Sequence, residues 1–185
     1  FTPLWSRVID SLGTVNHLVE IGAYEGQSSR WWFRNGLSIT GTLYCIDTWS
    51  DGPIDLLGRE QTEQMYKAKT TGEARYETFK SVMQSELHNS PNKRLRVLKG
   101  PSYLGLSKLA ETLTGQVGLI YIDGCHAAPE VLADAVQSFG LCRPGGIMIF
   151  DDYQWPSNQD RPLEHPKPAI DSFIQVFQER LHVIH

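Results

Sequence analysis

Five short apolar runs, at 17–22, 42–47, 95–100, 117–124 and 145–152, alternate along the chain with longer amphipathic stretches, and each run ends in glycine or aspartate. Runs rich in Val, Ile and Leu with little polar alternation belong to strands buried on both faces, which requires a parallel sheet covered by helices. The stretches between them carry helical spacing. Residues 27–35 hold Trp31, Trp32 and Phe33, residues 103–113 hold Leu104, Leu106, Leu109 and Leu113, and residues 129–139 hold Val131, Leu132, Ala135, Val136 and Phe139. Pro129 and Pro168 suit first-turn positions, where a missing N–H costs nothing, and the second precedes Ile170, Phe173, Ile174 and Phe177. A further apolar stretch at 181–185 is the candidate for a sixth strand. The expected architecture is α/β, a doubly wound, mostly parallel sheet with helices on both faces.

A chain of 185 residues is expected to form one domain, 1–185, with a core that needs no staples. With 41% hydrophobic and 21% charged residues it is not a disordered chain, and a net charge of −4 gives no electrostatic footprint for nucleic acid. No window approaches the eighteen or so apolar residues of a membrane span, and no signal peptide is visible at Phe1, so neither membrane nor nucleic acid is expected as a partner. The three cysteines, Cys45, Cys125 and Cys142, form neither a disulfide framework nor a zinc-type spacing, which fits a reducing, cytoplasmic setting. One segment breaks the rhythm: residues 48–92 separate two strands by more than an ordinary connection needs. A lid or substrate-binding insertion explains it, and so does a helix packed on the sheet through Tyr76, Phe79, Val82 and Met83; Tyr66 is a further apolar marker.

In an open parallel sheet, ligands bind beyond the carboxyl ends of the strands, so strand-end residues are the ones that carry chemistry. The first ending is VEIGAYEG, where Gly22 and Gly26 permit a tight turn before a helix, but the G-x-G-x-x-G of dinucleotide enzymes is absent. The second, YCIDTWSDG, ends on Asp47. A carboxylate there either accepts both ribose hydroxyls of a nucleoside or caps the turn that follows, a task Thr48, Ser50 and Asp51 also suit. The fourth and fifth, YIDGCH and IMIFDD, put Asp123, His126, Asp151 and Asp152 at neighbouring strand ends. Three such acids either hold a cation or repel one another, unless they serve as loop caps. His126 suits a general base, a structural loop residue or a further metal ligand.

These motifs, VEIGAYEGQSS, YCIDTWSDG, LKGPSYLGLSKL, YIDGCHAAPEVLADA and LCRPGGIMIFDDYQW, stand in the order and spacing of a known family. The chain resembles class I S-adenosylmethionine-dependent methyltransferases, specifically the small-molecule O-methyltransferase branch described as methyltransferase family 24, with kinship to macrocin-type and catechol-type enzymes. The likeness covers most of 17–177, and its most specific part is the pair IDG-x-H and PGG-x(4)-DD. It implies a Rossmann-like fold and S-adenosylmethionine as cofactor. Glu20, Gly22, Ala23 and Gly26 would cradle its methionine part with Ser28 near its carboxylate, Asp47 would hold the ribose, Thr48 and Trp49 would cover the adenine edge, and Ser102 and Tyr103 would contact the ring. Asp123 would lie beside the methyl donor, and Tyr24 stands where the family often has a third small residue.

The resemblance further implies that Asp123, Asp151 and Asp152 bind a divalent cation, Mg²⁺ by ligand hardness, which holds and acidifies an acceptor hydroxyl. Asp123 and His126 are the expected catalytic residues, Tyr153 and Trp155 the expected wall of the acceptor pocket, and a sugar or natural-product hydroxyl the expected acceptor. Dimers are common among relatives, so a homodimer belongs to the same expectation. The family's sixth strand would run at the end of the chain and its antiparallel seventh would be missing. Two other readings remain open: a catalytically silent nucleoside-binding or assembly domain, and a nicotinamide-dependent oxidoreductase, against which the missing G-x-G-x-x-G counts.

Overall fold

In the computed structural model, which describes residues 2–51, 70–155 and 163–184, five strands form one sheet in the order β3-β2-β1-β4-β5 with every neighbouring pair parallel. The elements run α1 (Thr2–Leu12), β1 (Val15–Ile21), α2 (Gln27–Asn35), β2 (Leu37–Asp47), α3 (Gly72–Asn89), β3 (Arg94–Lys99), α4 (Ser102–Leu113), β4 (Val117–Ile122), α5 (Ala128–Leu141), β5 (Cys142–Phe150) and α6 (Lys167–Phe177). The chain reverses its direction of travel across the sheet between β1 and β4, and that break is where an open parallel sheet has a crevice.

Alternate strand residues serve two cores. Leu18, Leu43, Cys45, Leu119 and Tyr121 face α1, α2 and α3, packing with Trp5, Trp32, Phe33, Phe79 and Met83. Val19, Ile21, Ile46, Ile120 and Ile122 face the other way against Leu106, Leu109 and Leu113 of α4. Ala169 and Ile170 of α6 close a third cluster against Ala128 and Val131 of α5. The RWWF segment is therefore core: Trp32 and Phe33 are fully buried, and Trp5 lies 4.8 Å from Trp32 and 5.3 Å from the Tyr121 ring. On the outside, Arg34 of α2 makes a two-pronged ion pair with Glu86 of α3.

The long 48–92 connection resolves in part. Residues 52–69 of the expected lid, Tyr66 included, lie outside the described residues, whereas α3 occupies the remainder and buries Phe79 and Met83 in the core. The second strand begins earlier than expected, at Leu37, because the β1–β2 register slips between Val15 and His17; a side chain at Gly41 would stand 2.9 Å from the Val15 carbonyl oxygen. The sixth strand expected at 181–185 is corrected: 181–184 pair with no strand among the described residues. No helix among the described residues is long and apolar enough to cross a membrane.

Candidate active site

The crevice is built where the strand-end loops touch. Gly22 adopts φ 87°, and a Cβ on it would lie 1.9 Å from the Asp123 carbonyl oxygen and 2.8 Å from the Gly124 Cα, so only glycine lets the loops after β1 and β4 cross. The crossing is hydrogen-bonded: Gly22 N donates to the Ile46 carbonyl at 2.9 Å, and Asp123 N donates to that of Ile21 at 2.8 Å. Gly26, at φ 84°, starts α2 with no side-chain cap, so the N–H groups of the first turn keep their partial positive charge at the crevice.

Asp47 ties two loops together. Its Oδ2 accepts from Tyr24 N at 2.8 Å and its Oδ1 accepts from Trp49 N at 2.7 Å, while the Trp49 indole N–H donates to the Tyr24 carbonyl at 2.6 Å. The carboxylate thus does cap the turn after β2, yet each oxygen has a second lone pair, so the capping bonds leave acceptor capacity for hydroxyls. Tyr24 and Trp49 both take left-handed φ, 48° and 44°, and these bonds hold them there. Thr48 shares a 2.9 Å hydrogen bond with Ser50. The Trp49 ring is 5% exposed, wedged between Tyr76 and Phe79 at 4.6 and 4.9 Å, because α3 brings aromatic partners down onto it.

Beneath the first loop lies Glu20, fully buried. Ser29 of α2 donates to its Oε2, Cys45 Sγ lies 3.4 Å from the same oxygen, and Oε1 has no hydrogen-bond partner among the described residues. Burial pushes this carboxyl up to about 7, against the lowering effect of the Ser28, Ser29 and Cys45 groups. The same burial raises the Cys45 thiol, which is a packed, inert group. Ala23 is buried. Across the crevice, Ser102 opens α4, and burial raises the carboxyl of Asp134 on α5 to about 7 against a lowering effect of the Ser102 hydroxyl; Tyr103 is 39% exposed.

The acids at β4 and β5 divide into two groups. The Tyr121 ring is core, but its hydroxyl reaches the strand ends, 3.1 Å from Asp123 Oδ2 and hydrogen-bonded to Asp151 Oδ2. Asp151 also accepts from Asp152 N through Oδ1 at 2.8 Å, so both of its oxygens are engaged by protein groups. Asp152, at φ 57°, turns the other way and meets His126 Nε2 at 2.8 Å through Oδ2. One ligand atom each from Asp123, His126 and Asp152 lie within 4.8 Å of one another. Burial first, and the Asp151 charge second, lift Asp123 to about 8, with the Tyr121 hydroxyl pulling down and Asp152 and Glu20 adding smaller repulsions. Asp152 is raised by burial, opposed by His126. The expected acid set is thus brought together, with His126 joining Asp123 and Asp152, and Asp151 held one layer back by Tyr121.

One residue, Tyr121, was not among those expected from sequence. Tyr121 reads as a strand hydrophobe, and its hydroxyl function shows only through the i, i+2 relation to Asp123. Trp155 packs on the His126 ring with centroids 4.3 Å apart, and His165, in the proline-rich loop, is 8% exposed.

Comparison with known proteins places this geometry. A family model described as "Methyltransferase domain" matches residues 19–153. An O-methyltransferase from Bacillus cereus, solved in complex with SAH, is similar in structure with TM-score 0.65 at 18% identity, over 95% of this chain and 67% of that one. MycE, a methyltransferase of the mycinamycin biosynthetic pathway solved with Mg and SAH, is similar with TM-score 0.59 at 20% identity, over 100% of this chain and 47% of that one. CalS11, a TDP-rhamnose 3'-O-methyltransferase of calicheamicin biosynthesis, gives 0.54 at 17%, over 94% and 68%. No curated protein sequence matches.

Proposed function

The chain belongs to the methyltransferase domain family, and from that premise we propose that it transfers a methyl group from S-adenosylmethionine to a hydroxyl of a small molecule, a sugar or natural product, assisted by a divalent cation. The observation that carries this reading is the convergence of Asp123, His126 and Asp152 within 4.8 Å, beside the loop crossing at Gly22.

The residues fit both groups. A cofactor with a positive charge beside the first loop meets Glu20, a buried carboxyl with one acceptor unmet, and Asp47 keeps lone pairs for two adjacent hydroxyls. Asp123 and Asp152 supply hard oxygen donors for a cation such as Mg²⁺, which would offset the carboxylate repulsion that adds to burial in lifting Asp123; that the similar MycE was solved with Mg and SAH supports a divalent cation in this reading. Held by Asp123 and Asp152, a divalent cation would lower the pKa of a coordinated hydroxyl and fix its direction. The sulfonium supplies an electrophilic methyl, so the chain's own tasks are positioning and proton removal. Asp152 meets the His126 ring at Nε2, and the His126–Asp152 pair takes the proton of the acceptor hydroxyl. Asp151, tied to Tyr121, supports the strand end from behind.

Calorimetric titration of SAH, with Mg²⁺ and with a chelator, followed by a methyl-transfer assay on sugar and catechol acceptors, tests the reading. SAH binding by the wild type, cation-dependent turnover, and a His126→Ala variant that keeps cation affinity while losing rate are expected. A folded sample that binds no SAH overturns it.

A further inference from the structure

Asp152 and Trp155 are the two ends of one tight turn, closed by Trp155 N donating to the Asp152 carbonyl at 2.8 Å, and both ends act on the same imidazole. The carboxylate of Asp152 meets His126 Nε2 at 2.8 Å, and the indole of Trp155 packs on the ring at 4.3 Å. The turn starts from a left-handed aspartate, φ 57°, a conformation that needs outside support.

That support comes from α6. Tyr153, in the middle of the turn, donates its hydroxyl proton to Asp171 Oδ1 at 2.8 Å and accepts from Lys167 Nζ at 2.7 Å, and the ammonium also lies 4.6 Å from the Tyr153 ring centroid. Lys167 and Asp171 pair with each other at 2.6 Å. Helix energetics do not explain this pair. A lysine as the first residue of α6 opposes the helix dipole, and lysine placed four residues before aspartate is the weaker order for an i, i+4 pair. Both residues are half exposed, where an ion pair adds little to global stability. The helix itself is rigidly seated, with Ala169, Ile170 and Phe173 buried.

We propose that Tyr153, Lys167 and Asp171 form a latch that positions the His126–Asp152 pair by fixing the turn 152–155 on α6. Tyr153, which the sequence places in the acceptor pocket wall, is then a positioning residue, and the selection of Lys167 and Asp171 is for the site rather than for the helix. The proposal extends the methyl-transfer reading, because the imidazole it holds is the base of that reaction.

The test reads geometry and turnover separately. With ring-labelled histidine, and His126→Gln to assign the resonance among the six histidines, the Trp155 ring current displaces the His126 signal, and Trp155→Leu defines its loss. Tyr153→Phe and Asp171→Asn are expected to remove most of that displacement, while Lys167→Arg retains it by restoring a cation at the same place. The same two variants are expected to lose about tenfold in kcat with SAH affinity unchanged, and to cause no further loss in a His126→Ala background. A His126 signal unmoved in Tyr153→Phe and Asp171→Asn, or not displaced in the wild type relative to Trp155→Leu, overturns the latch. Should the signal move in a protein that transfers no methyl group, the latch stands and the proposed function falls.

Discussion

Gly22→Ala is the sharpest perturbation of the crevice. A Cβ at this position would lie 1.9 Å from the Asp123 carbonyl oxygen, whereas ordinary contact begins near 3.4 Å, so the two loops must part by roughly 1.5 Å. The contact is with backbone, so rotamer changes cannot relieve it. Gly115 gives the control: it also has positive φ, 68°, but nothing lies within 4 Å of its would-be Cβ. Gly115→Ala therefore bears only the left-handed cost of about 1–2 kcal/mol. Gly22→Ala bears that cost and an overpacking cost of about 1–3 kcal/mol, hence about 2–5 kcal/mol in all. Against a total stability of about 5–15 kcal/mol the variant is expected to remain folded but weakened. Urea melts of the two alanine variants measure the difference, and SAH titration reads the site, where Gly22→Ala is expected to abolish binding and Gly115→Ala to leave it intact. Equal losses of stability, or an SAH affinity indifferent to Gly22→Ala, would refute the claim that the crossing of these loops builds the crevice.

Asp47→Asn keeps the shape but lets only one side-chain oxygen accept, so either Tyr24 N or Trp49 N loses its partner; SAH affinity should fall more than tenfold, with about 1–3 kcal/mol of stability lost in the melt. For Glu20, whose folded pKa of about 7 lies above its unfolded value, stability is fully present below about pH 4.5 and is lost as pH rises through 7. Glu20→Gln removes that loss, so its melting temperature relative to wild type is expected to climb between pH 5 and 8 by the equivalent of roughly 2–3 kcal/mol; a flat difference across that range contradicts the burial argument. Cation titration separates the two neighbouring acids: Asp152→Asn is expected to lose cation affinity, Asp151→Asn much less, because Tyr121 and Asp152 N already occupy Asp151.

Much of the fold was legible because buried parallel strands write themselves as unbroken apolar runs, and the helices at 27–35 and near 128–141 stand where their spacing and Pro129 place them. What was missed follows from local irregularity. The early start of β2 goes with the register slip between Val15 and His17, opposite which Ser38, Ile39 and Thr40 face outward and give no buried apolar run. The first helix carries Trp5, Val8, Ile9 and Leu12 at helical spacing, a legible pattern ahead of the first strand. The sixth strand was inferred from a few apolar residues at 181–185, too short a pattern to imply a pairing partner.

The site was legible as a set of residue types and much less so as directions. In a strand, neighbours point to opposite faces, so two adjacent aspartates after β5 ought to divide, but which of them reaches the crevice depends on where the alternation stops. Here Asp151 still continues the ladder, its N–H donating to the Ile122 carbonyl at 3.0 Å, and Tyr121 takes up its carboxylate. Asp152 then leaves the ladder at φ 57°, and that one left-handed residue swings its carboxylate onto His126 instead of away from it. Residue type permits such a step, since aspartate enters the left-handed region more readily than most, but it applies equally to Asp151 and so does not say which of the two turns. The bonds that stabilise it come from Trp155 one turn later and from Lys167 and Asp171 on another helix, partners fixed by the fold. A strand-end acid can therefore be found by sequence, while the loop that aims it must be found by packing.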